Sequence, residues 1–171
     1  MFDAIVEAAA AESPLWSEAA LPPEERVREP VFSRLGPDDH ALGLETIYEG
    51  YLVHYGRSRL FAPDDRDAAL LLGDYLYAHG LARVAESGDV AAVADLGELI
   101  SLCAQSRAEG RDGDGAAWAA TSAALGGDGL DLARAALRER GDSSPLDALA
   151  RVASDDRSVD AALAAHARRV R

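Results

Sequence analysis

The fold of this chain is decided by residues 67–108, DAALLLGDYLYAHGLARVAESGDVAAVADLGELISLCAQSRA. Pro63-Asp64-Asp65-Arg66-Asp67 opens a predicted helix with an acidic first turn. Apolar residues at helical spacing continue this helix over residues 68–86, with a stripe formed by Leu71, Leu72, Tyr75, Leu76 and His79. Ser87-Gly88-Asp89 is typical of a turn. A second amphipathic helix is predicted over residues 90–108, and its apolar face carries Val93, Leu96, Gly97, Ile100, Cys103 and Ala104. We expect the two helices to form an antiparallel hairpin.

The rest of the chain is also helical in pattern, with no strand pattern and no internal repeat. Pro22-Pro23-Glu24-Glu25 has the composition of a helix start, and Pro30 should end that helix soon afterwards. Further helices are predicted over residues 2–12, 42–54, 116–125, 130–140, 146–153 and 159–171. We therefore predict an all-α antiparallel helix bundle that forms a single domain over residues 1–171.

Composition limits the classes of partner. The net charge is −13, and all seventeen basic residues are Arg, so nucleic acid and anionic membrane surfaces are not expected partners. No stretch approaches the roughly 18 apolar residues of a membrane span, and acidic residues in Met1–Glu7 replace the positive charge of a secretory signal. We expect a cytoplasmic protein. The single Cys103 excludes an intrachain disulfide, and its apolar neighbours predict a buried structural thiol.

Three short motifs occur in a recognisable order: Glu45-Thr46-Ile47-Tyr48-Glu49, then His54-Tyr55-Gly56-Arg57, then Gly73-Asp74-Tyr75-Leu76. In spacing and order they resemble the first half of the trans-polyprenyl diphosphate synthases, the isoprenoid synthase family, and the resemblance extends over residues 42–110. It implies a truncated isoprenoid-synthase-like bundle. In that family an aspartate-rich motif holds Mg²⁺ against an allylic diphosphate, a pair of arginines follows, and a Gly-Asp-Tyr/Phe-Leu helix start comes next.

The aspartate-like segment differs from the family pattern. Glu45 and Glu49 lie four residues apart and share a helix face, where paired carboxylates could hold a hard cation. Thr46 takes the second position, however, and two longer Glu side chains with a hydroxyl are a poor copy of three close carboxylates. The alternative interpretation is that both are acids on a helix face or partners of an arginine.

The turn that follows is also altered. His54 and Tyr55 stand where the family has its arginine pair, Arg57 is retained, and the chain has no lysine for diphosphate oxygens. His54 is interpreted as either a catalytic group or, as is commoner, a packed or partner-contacting residue. A second aspartate-rich motif is missing, because Asp155-Asp156 reads as ordinary helix-start chemistry. We therefore expect no catalytic residue, no metal site, no cofactor and no role for Mg²⁺.

The resemblance implies that the predicted hairpin lines a cavity and contributes to a subunit interface. The residues expected there are Asp74, Tyr75, Leu76, His79, Val93, Leu96, Gly97, Ile100 and Cys103. Three hypotheses follow. The chain is a non-catalytic subunit or regulator of a polyprenyl diphosphate synthase, bound to a catalytic subunit or to itself as a dimer; or it is an independent helical binding or adaptor protein that holds an isoprenoid ligand; or it is a Mg²⁺-dependent prenyltransferase.

Overall fold

The computed structural model describes residues 1–170, and this part of the chain is all-α, as predicted. It contains nine α-helices and two short 3-10 turns, at Ser33–Leu35 and Asp38–His40, and no strand. The helices are α1 (Phe2–Glu12), α2 (Pro14–Glu18), α3 (Ala41–Tyr55), α4 (Arg66–Ala85), α5 (Val90–Ala108), α6 (Asp114–Ala123), α7 (Leu130–Arg140), α8 (Ser144–Ala153) and α9 (Asp156–Ala167). The end predicted for the last helix, Arg171, lies outside the described residues.

Aspartate side chains cap the N-terminal ends of three of these helices. The carboxylate of Asp65 accepts the Ala68 amide at 2.8 Å at the start of α4, and Asp89 accepts the Ala92 amide at 2.9 Å at the start of α5. Asp155 accepts the Ser158 amide at 3.0 Å and so caps α9. An N-cap carboxylate satisfies one amide that has no partner inside the helix. The interpretation of Asp155 as helix-start chemistry is confirmed.

Helix α3 is the centre of the bundle, since every residue from 43 to 52 is buried. Its most extensive contact is with α4, and glycines make this contact close. A Cβ on Gly50 would lie 2.9 Å from the Gly73 carbonyl oxygen, and a Cβ on Gly80 would lie 2.9 Å from the Gly43 carbonyl oxygen. Side chains at these positions would push the helices apart. The Gly73 of the resembling motif therefore has a packing role against α3.

Two apolar cores lie around the α3–α4 pair. The larger one joins α3 to α5, α6, α7, α8 and α9 and is built around Phe32, Tyr48 and the buried Trp118. The smaller one joins α1 and α2 to α4 and to residues 60–61, through Phe2, Ile5, Val6, Ala9, Trp16, Leu60, Phe61, Leu72 and Leu76. Among the described residues, no helix combines the length and the apolar character that crossing a membrane requires.

The predicted helix at Pro22–Pro30 is wrong. This segment is a turn, closed by the Glu25 amide on the Pro22 carbonyl at 2.9 Å, and is followed by extended chain that pairs with the segment beyond α3. The Leu21 amide donates to the Leu60 carbonyl at 2.9 Å, and the Val27 amide donates to the Arg59 carbonyl at 3.1 Å. Prolines without an amide hydrogen favour such an extended path.

The predicted turn at Ser87-Gly88-Asp89 does connect α4 and α5, which are neighbours, but the faces of both helices are rotated from the prediction. On α4 the buried positions are Leu72, Gly73, Leu76, Gly80 and Val84. Leu71 is 58% exposed. On α5 they are Ala92, Leu96, Leu99, Leu102, Cys103 and Ser106. Gly97 is exposed, since a Cβ built there would have no neighbour within 4 Å. The burial of Cys103 is confirmed.

Candidate functional site

The aspartate-like segment forms a buried ion-pair cluster with an arginine. Glu45 and Glu49 are completely buried, and Arg59 lies between them with 1% of its surface exposed. The Arg59 Nη1 donates to Glu45 Oε2 at 2.6 Å, and its Nε donates to Glu49 Oε2 at 2.8 Å. Burial opposes the charged form of Arg59, but the two carboxylates outweigh it and raise its pKa above the ordinary value. The arginine therefore stays charged.

Backbone amides satisfy the remaining carboxylate oxygens. Glu45 Oε1 accepts the amides of Val31 and Ser33, at 2.9 and 3.1 Å. Glu49 Oε1 accepts those of Arg59 and Leu60, at 2.8 and 2.9 Å, together with the Ser58 hydroxyl. The cluster thus ties two irregular segments, residues 31–33 and 58–60, to α3.

Thr46 takes no part in this cluster. Its hydroxyl donates to the Leu42 carbonyl at 2.7 Å, one helical turn back. The three positions that resemble the aspartate motif are therefore all engaged within the chain. Among residues 1–170, no group of three or more His, Cys, Asp or Glu side chains is arranged to hold a metal ion.

The residues at the arginine-pair positions pack against α4. The His54 ring lies 5.1 Å from the Tyr77 ring and 5.5 Å from the Tyr55 ring, and its Nε2 lies 3.2 Å from an Asp74 carboxylate oxygen. Burial lowers the pKa of His54, and Asp74 opposes that shift. This placement corresponds to the packed residue weighed for His54 above.

Arg57 lines a groove of about 590 Å³ together with Arg169, Glu25 and other residues from segments 21–27 and 52–63. The Arg57 amide donates to the Arg169 carbonyl at 2.8 Å. Burial and the positive charges of Arg59 and Arg57 lower the pKa of Arg169. Within residues 1–170, neither Arg57 nor Arg169 forms a salt bridge. The groove combines these cations with an apolar wall that contains Leu52, Val53 and Phe61.

The residues expected at an interface or cavity on α4 serve the fold of this chain. Leu76 is fully buried in the smaller core. Tyr75 stacks on Trp16 at 6.2 Å and on His79 at 5.4 Å, and its hydroxyl donates to the Ala8 carbonyl at 3.3 Å. Asp74 is largely exposed and lies in the interior of α4, whereas the resemblance implies a Gly-Asp motif near a helix start, so this implication is wrong.

The α5 residues divide into a buried and an outward set. Leu96 and Cys103 belong to the larger core, and burial raises the pKa of the Cys103 thiol. Val93 and Ile100 are partly buried against the same core. Gly97 lies on the outward face, which also carries exposed Ala91, Ala94 and Ser101. This outward face, which also carries Glu98, is the solvent-exposed side of α5.

The structure contains a second polar cluster, which the sequence does not predict. Tyr51 and Arg107 both donate to the Asp114 carboxylate, and Arg107 also donates to the Tyr51 oxygen. The His166 Nε2 lies 3.7 Å from Asp114 Oδ1. These residues come from α3, α5, α6 and α9, and no local motif links them. The sequence features that could have indicated this cluster are an aspartate between two glycines, Gly113 and Gly115, and a lone histidine in the final helix.

No protein-family model, curated protein or solved structure matches this chain.

Proposed function

We propose that this chain is a non-catalytic subunit or regulator of a polyprenyl diphosphate synthase and that it acts through helix-to-helix association. The observation that carries the proposal is the enclosure of Glu45 and Glu49. Each of their four carboxylate oxygens accepts at least one hydrogen bond, from Arg59 or from backbone amides. The chain uses the positions that resemble a metal-binding motif to hold its own loops, which supports a role without Mg²⁺ chemistry.

The outward face of α5 is the surface that we assign to association. Its small residues Ala91, Ala94, Gly97 and Ser101 leave the backbone accessible, so another helix could approach closely. In the resembling family the corresponding helix pair contributes to the subunit interface. We propose a catalytic synthase subunit as the partner, with a second copy of this chain as the alternative. An interface of standard size would bury about 1,600 Å² in total.

The association is tested by affinity purification of the full chain from its native host, followed by mass spectrometry. We expect a full-length synthase to co-purify with the wild-type chain. Gly97→Arg should abolish co-purification and leave the fold intact, because the side chain enters open space. The matched control Ala164→Arg introduces the same side chain at an exposed position of α9 and should retain the partner. Equal recovery with both variants would refute the α5 face, and the absence of any synthase would refute the partner.

One observation favours the second candidate, an independent helical protein that binds an isoprenoid ligand. The groove of about 590 Å³ places Arg57 and Arg169 beside an apolar wall, an arrangement that suits an anionic head and an apolar tail. Saturable binding of a prenyl diphosphate by the isolated chain, weakened by Arg57→Gln and with no synthase recovered from the host, would favour this candidate over the first. Mg²⁺-dependent chain elongation by the isolated protein would support the third.

The proposal includes no nucleic-acid partner, an expectation that rests on the net charge of −13.

A further inference from the structure

A cavity of about 360 Å³ lies where the ends of α5 and α9 meet the start of α6, away from the α5 outward face. We call it the His166 cavity. Its wall includes Arg107, Asp112, Asp114, Leu163, His166 and Val170. The wall therefore combines polar groups with apolar side chains. Such a combination is typical of small-molecule sites, and the volume lies near the lower end of their range of roughly 300–1,000 Å³.

His166 has an unsatisfied ring nitrogen in this cavity. The residue is 4% exposed. Its Nδ1 lies 3.1 Å from the Tyr48 hydroxyl oxygen. Its Nε2 lies 3.7 Å from Asp114 Oδ1, and this carboxylate favours a hydrogen on Nε2, so the Tyr48 hydroxyl donates to Nδ1. The ring hydrogen is then on Nε2, which has no hydrogen-bond partner among the described residues. An unpaired buried donor is costly, which points to an acceptor supplied from outside the chain.

Arg107 and the start of α6 also provide hydrogen-bond donors beside the cavity. Arg107 uses Nε and Nη2 on Tyr51 and Asp114, and its Nη1 makes no hydrogen bond within residues 1–170. Gly113, the residue before α6, has no side chain that could cap the helix. The first residues of α6 line the cavity, so the positive end of the helix dipole lies at the cavity wall. The Asp114 carboxylate already accepts hydrogen bonds from Tyr51 and Arg107, and its Oδ1 accepts the Gly115 amide at 3.0 Å.

We propose that the His166 cavity binds a small monocarboxylate with a short apolar or aromatic body. The carboxylate would accept from His166 Nε2 and Arg107, and the body would contact Leu163 and Val170. Asp114 offsets the charge of Arg107, and the charge of Asp112, which also lines the cavity, is exposed to solvent and screened there. The helix end and the His166 donor then favour the added anion. Gly115 keeps this space open, since a Cβ there would lie 3.1 Å from the His166 ring. This inference is independent of the proposed association.

The test uses the full chain with benzoate as the probe, benzamide as its neutral counterpart and inorganic phosphate as a competing anion. Isothermal titration gives the affinities, and the His166 imidazole NMR signal reports the site. We expect saturable benzoate binding that shifts the His166 signal and is at least about tenfold tighter than benzamide binding, or about 1.4 kcal/mol. Equal binding of benzamide, tighter binding of phosphate, or no binding of benzoate would overturn the proposal; in the last case the cavity holds water only.

Variants locate the binding. Gly115→Leu should fill the cavity without removing a polar group, and His166→Phe should keep the ring volume and remove the Nε2 donor. Each should weaken benzoate binding at least about tenfold. Arg168→Gln removes one exposed charge outside the cavity and should leave the affinity unchanged. Circular dichroism confirms folding of each variant. Retention of benzoate affinity by a folded Gly115→Leu protein would overturn the site.

Discussion

Replacement of Arg59 by Met tests the buried ion-pair cluster. The side chain of Met has no charge, so Glu45 and Glu49 would remain completely buried without the cation that joins them. Removing one partner from a buried ion pair costs about 3 to 5 kcal/mol, because the other charge stays desolvated. Arg59 serves two carboxylates and also donates to the Glu29 carbonyl at 2.9 Å. We therefore expect the free energy of unfolding to fall by about 5 kcal/mol, the upper end of that range.

Urea unfolding followed by the fluorescence of the buried Trp118 measures this loss. The first control is Arg57→Met, which removes an exposed arginine two residues away and should cost less than about 1 kcal/mol. The second combines Arg59→Met with Glu45→Gln and Glu49→Gln, which removes both stranded charges and should restore a large part of the stability. A loss of less than about 1 kcal/mol for Arg59→Met alone would refute the argument that the cluster holds α3 to its neighbouring loops.

Three further predictions concern the fold and its pH dependence. Gly80→Ala should lower the free energy of unfolding by about 1–3 kcal/mol, because the new Cβ would lie 2.5 Å from Ile47 Cγ1. Gly97→Ala on the open face of α5 should be neutral or stabilising. Thermal or urea unfolding measures both changes. Leu76→Ala should cost about 2–5 kcal/mol, since the side chain is fully buried; a smaller loss would contradict its core position. Burial would raise the pKa of Asp114, but the neighbouring His166, Tyr51 and Arg107 outweigh burial and lower the pKa well below 3.8. The Asp114 carboxylate therefore stabilises the folded state above pH 3.8, and this stabilisation is lost as the pH falls toward the lowered pKa. Asp114→Asn should lower stability at neutral pH and make it less sensitive to acid below about pH 4, and an unchanged acid profile would contradict this assignment.

Local sequence signals were sufficient to predict most of the helices. The bounds of α1, α5 and α7 agree with the prediction, because a proline, a turn or a glycine stands at their ends. The helix predicted from Pro22 to Pro30 is wrong, since prolines at a helix-like start do not reveal that the amides of Leu21 and Val27 donate to the carbonyls of residues 59–60. The glycines of α3 and α4 carried no recognisable local signal, because their role depends on which helix lies opposite.

The site was harder to predict because its partners are distant in sequence. The spacing of Glu45 and Glu49 correctly placed both carboxylates on a helix, and an arginine partner was among the interpretations weighed. Their complete burial depends on Arg59 and on the amides of residues 31–33, which the tertiary fold brings to α3. The Asp114 and His166 pair is separated by a still longer stretch, so only the three-dimensional arrangement brings these side chains together.

The central claim, that this chain acts on a polyprenyl diphosphate synthase without performing catalysis, is tested most directly by product analysis. The synthase recovered with the chain is assayed with allylic and homoallylic diphosphates and Mg²⁺, alone, with the wild-type chain and with Gly97→Arg. We predict that the wild-type chain changes the rate or the product length, that Gly97→Arg does not, and that the chain without synthase forms no product. Chain elongation by the isolated protein, or an unchanged synthase in its presence, would contradict the account.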